Sequence, residues 1–376
     1  MTLNKKTPTI IIYSITVIVL ISLIFFIKPE NIISSLVRLG VPGLSLLILL
    51  YIIDLIVRVF RWSLLLQVQG VNLPLKTLAI PVVSALAVNL FLPARAGESI
   101  RIFSLKRNNK VNYSDTISSI VIEQILSVFG LLIVIIGILF LIGESLQGTE
   151  NSTIIQQLVL LLFVISVITL LGLWLAIIKP ELIKKMLHLF PSFLEKRLLS
   201  MYKSFQTGLK DLKSSPSILS LGILTSASIW IIEGIMLFII AVGVFPTYGL
   251  IDLPYVIAAS CVGNITFIIP ILPGAMGQYE VAIGIILVSA PGYSFVQQGA
   301  FLIAFTDRLI KSAILLILGG YATLNLGGSE LLRLKKDIYL TTTDQNDSNK
   351  DTGENTKSEI LELQVKNKTT LLEENY

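Results

Sequence analysis

The sequence predicts an all-α polytopic membrane protein with about six full spans and two re-entrant broken-helix hairpins in inverted-topology repeats. Apolar residues make up 54% of the 376 residues and charged residues 14%, whereas a soluble domain carries roughly 25% charge. Several apolar runs exceed the roughly 18 residues that cross a bilayer as a helix. Two further apolar runs are interrupted by Pro and Gly at matching places, which indicates helices broken inside the bilayer.

Eight apolar segments make up this architecture. The two interrupted segments, 75–106 and 253–290, have limbs of about 12–18 residues, or roughly 18–27 Å of helix, which reach the midplane and little further. Broken backbone at that depth is tolerated only inside protein or along a wet cavity, so both segments are expected to be re-entrant hairpins. The uninterrupted segments lie at about 9–27, 41–66, 116–142, 154–178, 217–245 and 297–325.

The distribution of basic residues predicts the orientation. Segment 179–213 holds eight Lys and Arg residues against three acids, and segment 143–153 holds two acids and no Lys or Arg. Because cytoplasmic loops are enriched in Lys and Arg, the first segment is expected inside and the second outside. Both termini of this multi-pass cell-membrane protein are then cytoplasmic. The first hairpin enters from the cytoplasmic face and the second from the outer face.

The segments group into five parts. The stretch between the two repeats alternates Lys with apolar residues at helical spacing, which is typical of a helix lying on anionic inner-leaflet lipids. The parts are an N-terminal span and outer loop (1–40), the first inverted repeat (41–142), a linking span with the basic amphipathic cytoplasmic segment (143–216), the second inverted repeat (217–325) and a disordered polar tail (334–376).

Composition also limits the chemistry. One cysteine, Cys261, and one histidine, His188, cannot form the clusters that hold most protein-bound transition metals, so no metal and no cofactor are expected. The net charge of +5 follows from the basic cytoplasmic loops, so no nucleic-acid partner is expected. The outer loops contain no Asp-x-Asp pair and the spans contain no His, so no catalytic residue and no enzymatic activity are expected. A homo-oligomer is left open.

The two hairpins repeat one pattern. The first reads NLFLPARAGESIR over residues 89–101, and the second reads NITFIIPILPGAMGQYE over residues 264–280. Each has an Asn, apolar residues, Leu-Pro, a Gly and a Glu. The matched pairs are Asn89 with Asn264, Pro93 with Pro273, Gly97 with Gly277, and Glu98 with Glu280. Oppositely oriented repeats with broken helices bind their substrates near the midplane in many transporters.

The residue types at these breaks suit an anion. A helix N-terminus attracts negative charge, and Arg binds phosphate through a planar fork, so Arg95, Arg101 and Arg308 are expected to hold a phosphate group. Glu98 and Glu280 are costly inside a membrane and are expected to gate or couple transport, the alternative being structural ion pairs with the arginines. A second tier of site residues comprises Asn89, Glu123, Glu233, Asn264, Gly97 and Gly277. Arg61 is expected to anchor its span at the interface.

With these motifs the sequence resembles the lysylphosphatidylglycerol synthase transmembrane family, also called flippase-like integral membrane proteins, over about residues 10–325. The resemblance implies translocation of a lipid or handling of a lipid-linked glycan. We therefore expect a translocator of an anionic lipid, either a phospholipid or a polyprenyl-phosphate-linked glycan. The alternatives are a protein that acts in lipid-linked glycan or phospholipid modification, and a small-anion secondary transporter.

Overall fold

The computed structural model describes most of the chain from residue 21 to residue 325. The described residues are 21–142 without 23, 24, 93 and 94, scattered positions between 160 and 213, and 214–325 without 246–248, 250, 251, 268–272 and 289–296. The chain divides into a compact unit Met1–Ala322 and a second unit Thr323–Tyr376, of which only the first three residues are described. Predictions for the tail, for Pro93 and for most of the basic segment lie outside the described residues.

Every regular element in this part of the chain is helical, which confirms the all-α prediction. A 3₁₀ turn, Pro273–Ala275, lies in the second hairpin. The α-helices are α1 (Pro29–Val68), α2 (Leu75–Asn89), α3 (Glu98–Asn109), α4 (Tyr113–Ile142), α5 (Pro216–Val244), α6 (Leu253–Ile265), α7 (Gln278–Val288) and α8 (Gln297–Asn325).

Pro and Gly set the boundaries of the long helices. Pro29 and Pro216 begin α1 and α5. A backbone N–H at the start of a helix has no partner within that helix, so proline, which has no N–H, is well tolerated there. Helix α1 is kinked at Gly40, whose φ of 59° no helix contains, and Pro42 follows it. The predicted span at 41–66 is therefore the straight part of α1 beyond the kink.

Three of the described helices are long and apolar enough to cross a membrane by length and composition. They are Pro29–Val68, Tyr113–Ile138 and Pro216–Val244, which correspond to three of the six predicted spans. Helix α8 covers the predicted span at 297–325, but its polar residues make it less apolar than these three helices. Most of the predicted spans at 9–27 and 154–178 lies outside the described residues, so the count of six stays a prediction.

The two broken helices form hairpins at the expected residues. Helices α2 and α3 pack against each other, and so do α6 and α7. Their limbs are 15, 12, 13 and 11 residues long, which is about 16–22 Å of helix each. The long helices α1 and α5 pack side by side next to these hairpins, and α4 also contacts α5.

The two breaks meet each other. Gly274 in the second break has a φ of 59°, and a Cβ on it would lie 2.5 Å from the carbonyl oxygen of Leu90 in the first break. Only glycine allows this combination of backbone conformation and close approach. Large apolar side chains such as Phe140 and Ile317 are 85% and 73% exposed on the outer faces, as expected of helices that contact lipid.

Gly97→Ala is expected to destabilise the first hairpin. The added Cβ would lie 2.2 Å from the carbonyl oxygen of Ala85 and 2.6 Å from Oδ1 of Asn89. Overpacking of this kind costs about 1–3 kcal/mol, so the melting temperature in detergent should fall. Gly137→Ala in α4 is the matched control, because its Cβ would meet no atom within 4 Å. Equal melting temperatures for the two variants would contradict this packing.

Candidate functional site

A cavity of about 610 Å³ lies where the two breaks meet. This volume is within the range of small-molecule sites. All eight described α-helices contribute to its lining, which mixes apolar residues with charged ones. Eight of the predicted site residues line it: Asn89, Arg95, Glu98, Arg101, Glu123, Glu233, Asn264 and Arg308.

The first break is closed by its own residues. The backbone N–H of Gly97 donates to Oδ1 of Asn89 over 2.7 Å, which joins the two ends of the break. Arg95 has a φ of 54°, a left-handed conformation that is uncommon for a residue with a Cβ. The guanidinium of Arg95 donates to the side-chain oxygen of Gln124 in α4. Backbone strain of this kind is concentrated at binding and switch sites.

The helix N-terminus at this break is already bonded. The backbone N–H groups of Glu98, Ser99 and Ile100 donate to the carbonyls three residues before them, over 2.9–3.2 Å. The N–H of Gly97 is taken by Asn89. These N–H groups are therefore not free to bind the expected anion in this conformation, which leaves the Arg95 side chain as the cationic group of this break to consider.

A first set of ion pairs, here called the α4 network, surrounds Glu123. Its Oε1 accepts from Arg61 over 2.7 Å, and its Oε2 accepts from Arg101 over 2.6 Å. Arg101 also pairs with Glu98 over 2.9 Å. Arg61 is only 3% exposed, so the expectation that it anchors α1 at the interface is wrong. It points into the bundle instead, where the hydroxyl of Ser226 also accepts from it.

A second set of ion pairs, here called the α8 network, links segment 41–142 to segment 217–325. Arg58 of α1 pairs with Asp54 over 2.6 Å and with Glu233 of α5 over 2.9 Å. Lys311 of α8 pairs with the other oxygen of Glu233 and with Asp307 over 2.9 Å. The network therefore ties α1, α5 and α8 together through alternating charges.

The second break is held by Arg308 and Glu280. Their side chains pair over 2.6 Å, and Glu280 accepts a hydrogen bond from the N–H of Gly277 over 2.7 Å. Arg308 also donates to the carbonyls of Gly274 and Ala275 over 2.8 and 3.1 Å. These bonds occupy the guanidinium of Arg308, so in this conformation it fixes the backbone of the break.

The two breaks differ in detail although their sequences match. At the first break the amide of Asn89 bonds to the N–H of Gly97, whereas at the second the carboxylate of Glu280 bonds to the N–H of Gly277. Asn264 instead donates to the carbonyl of Ser260 within its own helix, over 3.0 Å. The two asparagines therefore match in sequence position but not in the hydrogen bonds that they make.

Arg95 stands apart from the other cations of the cavity. In the described part of the chain, the remaining cations that line the cavity each have a carboxylate within 4 Å, and Arg95 has none. It is half-buried and bonded to a neutral amide. A partly buried charge with no ion-pair partner within 4 Å is costly, so this position suits an anionic ligand.

Several residues of the site are not among those that the sequence singled out. They are the members of the α8 network other than Glu233, together with Arg61, Gln124 and Tyr279. The signal available in the sequence was the presence of charges inside apolar spans. That signal does not show which charges meet across helices far apart in the chain.

Comparisons with known proteins agree with this architecture. Residues 11–319 match the family described as the lysylphosphatidylglycerol synthase TM region. A UPF0104 membrane protein of Methanothermobacter thermautotrophicus is 23% identical over 297 residues, which cover 76% of this chain and 86% of that protein. The glycosyltransferase AglD of Haloferax volcanii is 21% identical over 342 residues, which cover 84% of this chain and 54% of AglD.

These matches confirm the predicted family and the prediction of a multi-pass membrane protein. They contradict the expectation that the chain is not an enzyme, because the family description names a synthase and one relative is named a glycosyltransferase. Both names point to activity on lipids or in glycosyl transfer. The lack of His and Cys clusters excludes only a metal site that is built from those residues. It leaves open chemistry carried out by carboxylates and tyrosines.

Glu280→Gln is expected to destabilise the protein more than Glu98→Gln. Glu280 is fully buried and is the carboxylate that pairs with Arg308, so its loss strands a buried charge at a cost of about 3–5 kcal/mol. Glu98 is half-buried, and its partner Arg101 keeps Glu123. Melting temperatures of the two isosteric variants in one detergent test this. An equal decrease would show that the two pairs are equivalent.

Proposed function

We propose that this chain, which belongs to the lysylphosphatidylglycerol synthase transmembrane family, carries the headgroup of an anionic lipid across the membrane through the cavity between the breaks. The lipid is a phospholipid or a polyprenyl-phosphate-linked glycan. The observation that carries the proposal is the guanidinium of Arg95, which lies at the cavity with a neutral partner and, among the described residues, no carboxylate within 4 Å.

Arg95 is the primary contact for the phosphate. Its planar guanidinium can donate two parallel hydrogen bonds to phosphate oxygens, and its bond to the neutral amide of Gln124 can be exchanged for one of them. The phosphate supplies the counter-charge that the other cations obtain from carboxylates. The lipid tails remain in the bilayer, along the exposed apolar faces of the helices.

The two ion pairs at the breaks act as gates. Glu98 with Arg101 lies at the first break, and Glu280 with Arg308 lies at the second. Each pair is made within one repeat, so one hairpin can loosen while the other stays closed. We propose that the hairpins are re-entrant from opposite faces, so that the gates open the cavity alternately to the cytoplasm and to the outside.

A second candidate is modification of the bound headgroup. The family description and the name of the archaeal relative favour it, because a synthase and a glycosyltransferase both form new covalent bonds. Both candidates need the same anionic headgroup in the cavity. The two candidates differ in whether the headgroup is covalently modified, and therefore in whether its mass changes.

Arg95→Gln is expected to slow translocation about tenfold or more. The substitution removes a charge-assisted hydrogen bond that is worth roughly 1.5–3 kcal/mol. The assay follows fluorescent short-chain phosphatidylglycerol in liposomes, where a membrane-impermeant reductant reports the fraction in the outer leaflet. Arg107→Gln on the exposed side of α3 is the matched control and should behave like the wild type. An unchanged rate for Arg95→Gln would contradict the proposal.

Two additions to the same assay separate the remaining alternatives. Mass spectrometry of the lipid after incubation with an aminoacyl or sugar-phosphate donor distinguishes a modified headgroup from an unchanged one. Glu98→Gln should keep its fold and lose most of the transport, since Arg101 retains Glu123. Uptake of free phosphate without any lipid movement would instead identify a small-anion transporter.

A further inference from the structure

The α8 network contains more carboxylates than cations. Its three acids, Asp54, Glu233 and Asp307, face two cations, Arg58 and Lys311. The α4 network has two of each sign, and Arg308 has Glu280. Among the described residues, the surplus negative charge of the cavity therefore resides in the α8 network, and the surplus positive charge resides on Arg95.

The free oxygens show where the surplus lies. Both oxygens of Glu233 are paired, one with Arg58 and one with Lys311. Asp54 and Asp307 each have one paired oxygen, and the Oδ1 of each is buried without a hydrogen-bond partner. A buried carboxylate oxygen that lacks a donor is energetically costly. Asp307 lines the cavity, whereas Asp54 does not.

Neighbouring groups do not remove this surplus. Tyr279 of α7 donates its hydroxyl to Oδ2 of Asp307 and leaves Oδ1 free. Arg308 lies next to Asp307 in sequence and pairs with Glu280. Tyr51 of α1 lines the same cavity, and its hydroxyl is uncharged in its ordinary state. No described group on α1, α5, α6, α7 or α8 supplies a further cation to the network.

We infer that Asp307 takes up one proton from water when a phosphate anion binds at Arg95, so that headgroup and proton enter the cavity together. This inference rests on the proposed function, and it names the proton as the ion that is coupled to headgroup transport. In the empty cavity the positive charge of Arg95 offsets the surplus carboxylate. A bound anion neutralises Arg95 and leaves the surplus uncompensated in a low-dielectric interior, where charge interactions are strong.

The proton fits the free oxygen of Asp307. It adds to Oδ1 and converts the carboxylate into a neutral acid, while Oδ2 still accepts the hydroxyl of Tyr279. Lys311 keeps Glu233 as its partner, so no cation is stranded. A proton needs one oxygen, whereas Ca²⁺ and Mg²⁺ need about six or more ligands. Coupling of this kind lets a pH gradient drive an anion across without net movement of charge.

Calorimetry on the purified full-length protein tests this inference. Binding is measured at one pH in buffers of different ionisation enthalpy, which gives the number of protons taken up. The probes are dioctanoyl phosphatidylglycerol and dimethyl phosphate, both phosphodiesters with no second ionisable oxygen. About one proton should be taken up per ligand, and Kd should weaken by up to about tenfold per pH unit as pH rises. Uptake with both probes identifies phosphate chemistry, and uptake with the lipid alone identifies a lipid site.

Three variants localise the proton. Asp307→Asn should bind without proton uptake and with little pH dependence, because its network is already neutral. Asp54→Asn should do the same, because two carboxylates then face two cations. The matched control Asp115→Asn, in the first turn of α4, should take up the proton like the wild type. If Asp307→Asn does not fold, the wild type and Asp54→Asn still decide the question.

Two kinds of result would overturn the inference, and they are distinguishable. Binding by the wild type without proton uptake, binding that needs sodium instead, or unchanged uptake in Asp307→Asn would end the coupling and leave the lipid site intact. No binding of either probe would overturn the proposed function, and the coupling with it.

Discussion

The cost of burying charge organises this structure. Six cations and six carboxylates lie at or beside one cavity among apolar helices. Each would be unstable there alone, so the helices are held where the charges can meet. Eleven of these groups form pairs or networks, and Arg95 is the one that does not, among the residues described. The position that lacks a carboxylate is where an anionic ligand would add most.

This constraint also explains why the breaks lie where they do. A break in a helix exposes backbone groups that the bilayer cannot hydrogen-bond. Asn89 satisfies the N–H of Gly97 at the first break, and Arg308 satisfies two carbonyls at the second. The same residues therefore stabilise the broken backbone and border the cavity. The two breaks are in direct contact, because Gly274 lies against the carbonyl of Leu90.

The breaks were predictable from the sequence because their signals are local. Pro and Gly within apolar runs end helices, and the repeated Asn, Gly and Glu marked both hairpins. The pairing of Glu280 with Arg308 was among the alternatives that the sequence left open, because an arginine inside an apolar segment needs an acid. The partners of Arg58 and Arg61 could not be predicted in this way. Glu233 is 175 residues from Arg58, and Glu123 is 62 residues from Arg61. Those contacts depend on which faces of α1, α4 and α5 pack together.

The most direct measurement is an experimental structure of the protein with dioctanoyl phosphatidylglycerol bound. The account predicts a phosphate oxygen within hydrogen-bond distance of the Arg95 guanidinium, between the two breaks, with the α4 network still paired. A phosphate held by Arg101 or Arg308 after its ion pair has broken, with Arg95 still bonded to Gln124, would contradict it. So would a lipid that binds only on the outer faces of the helices.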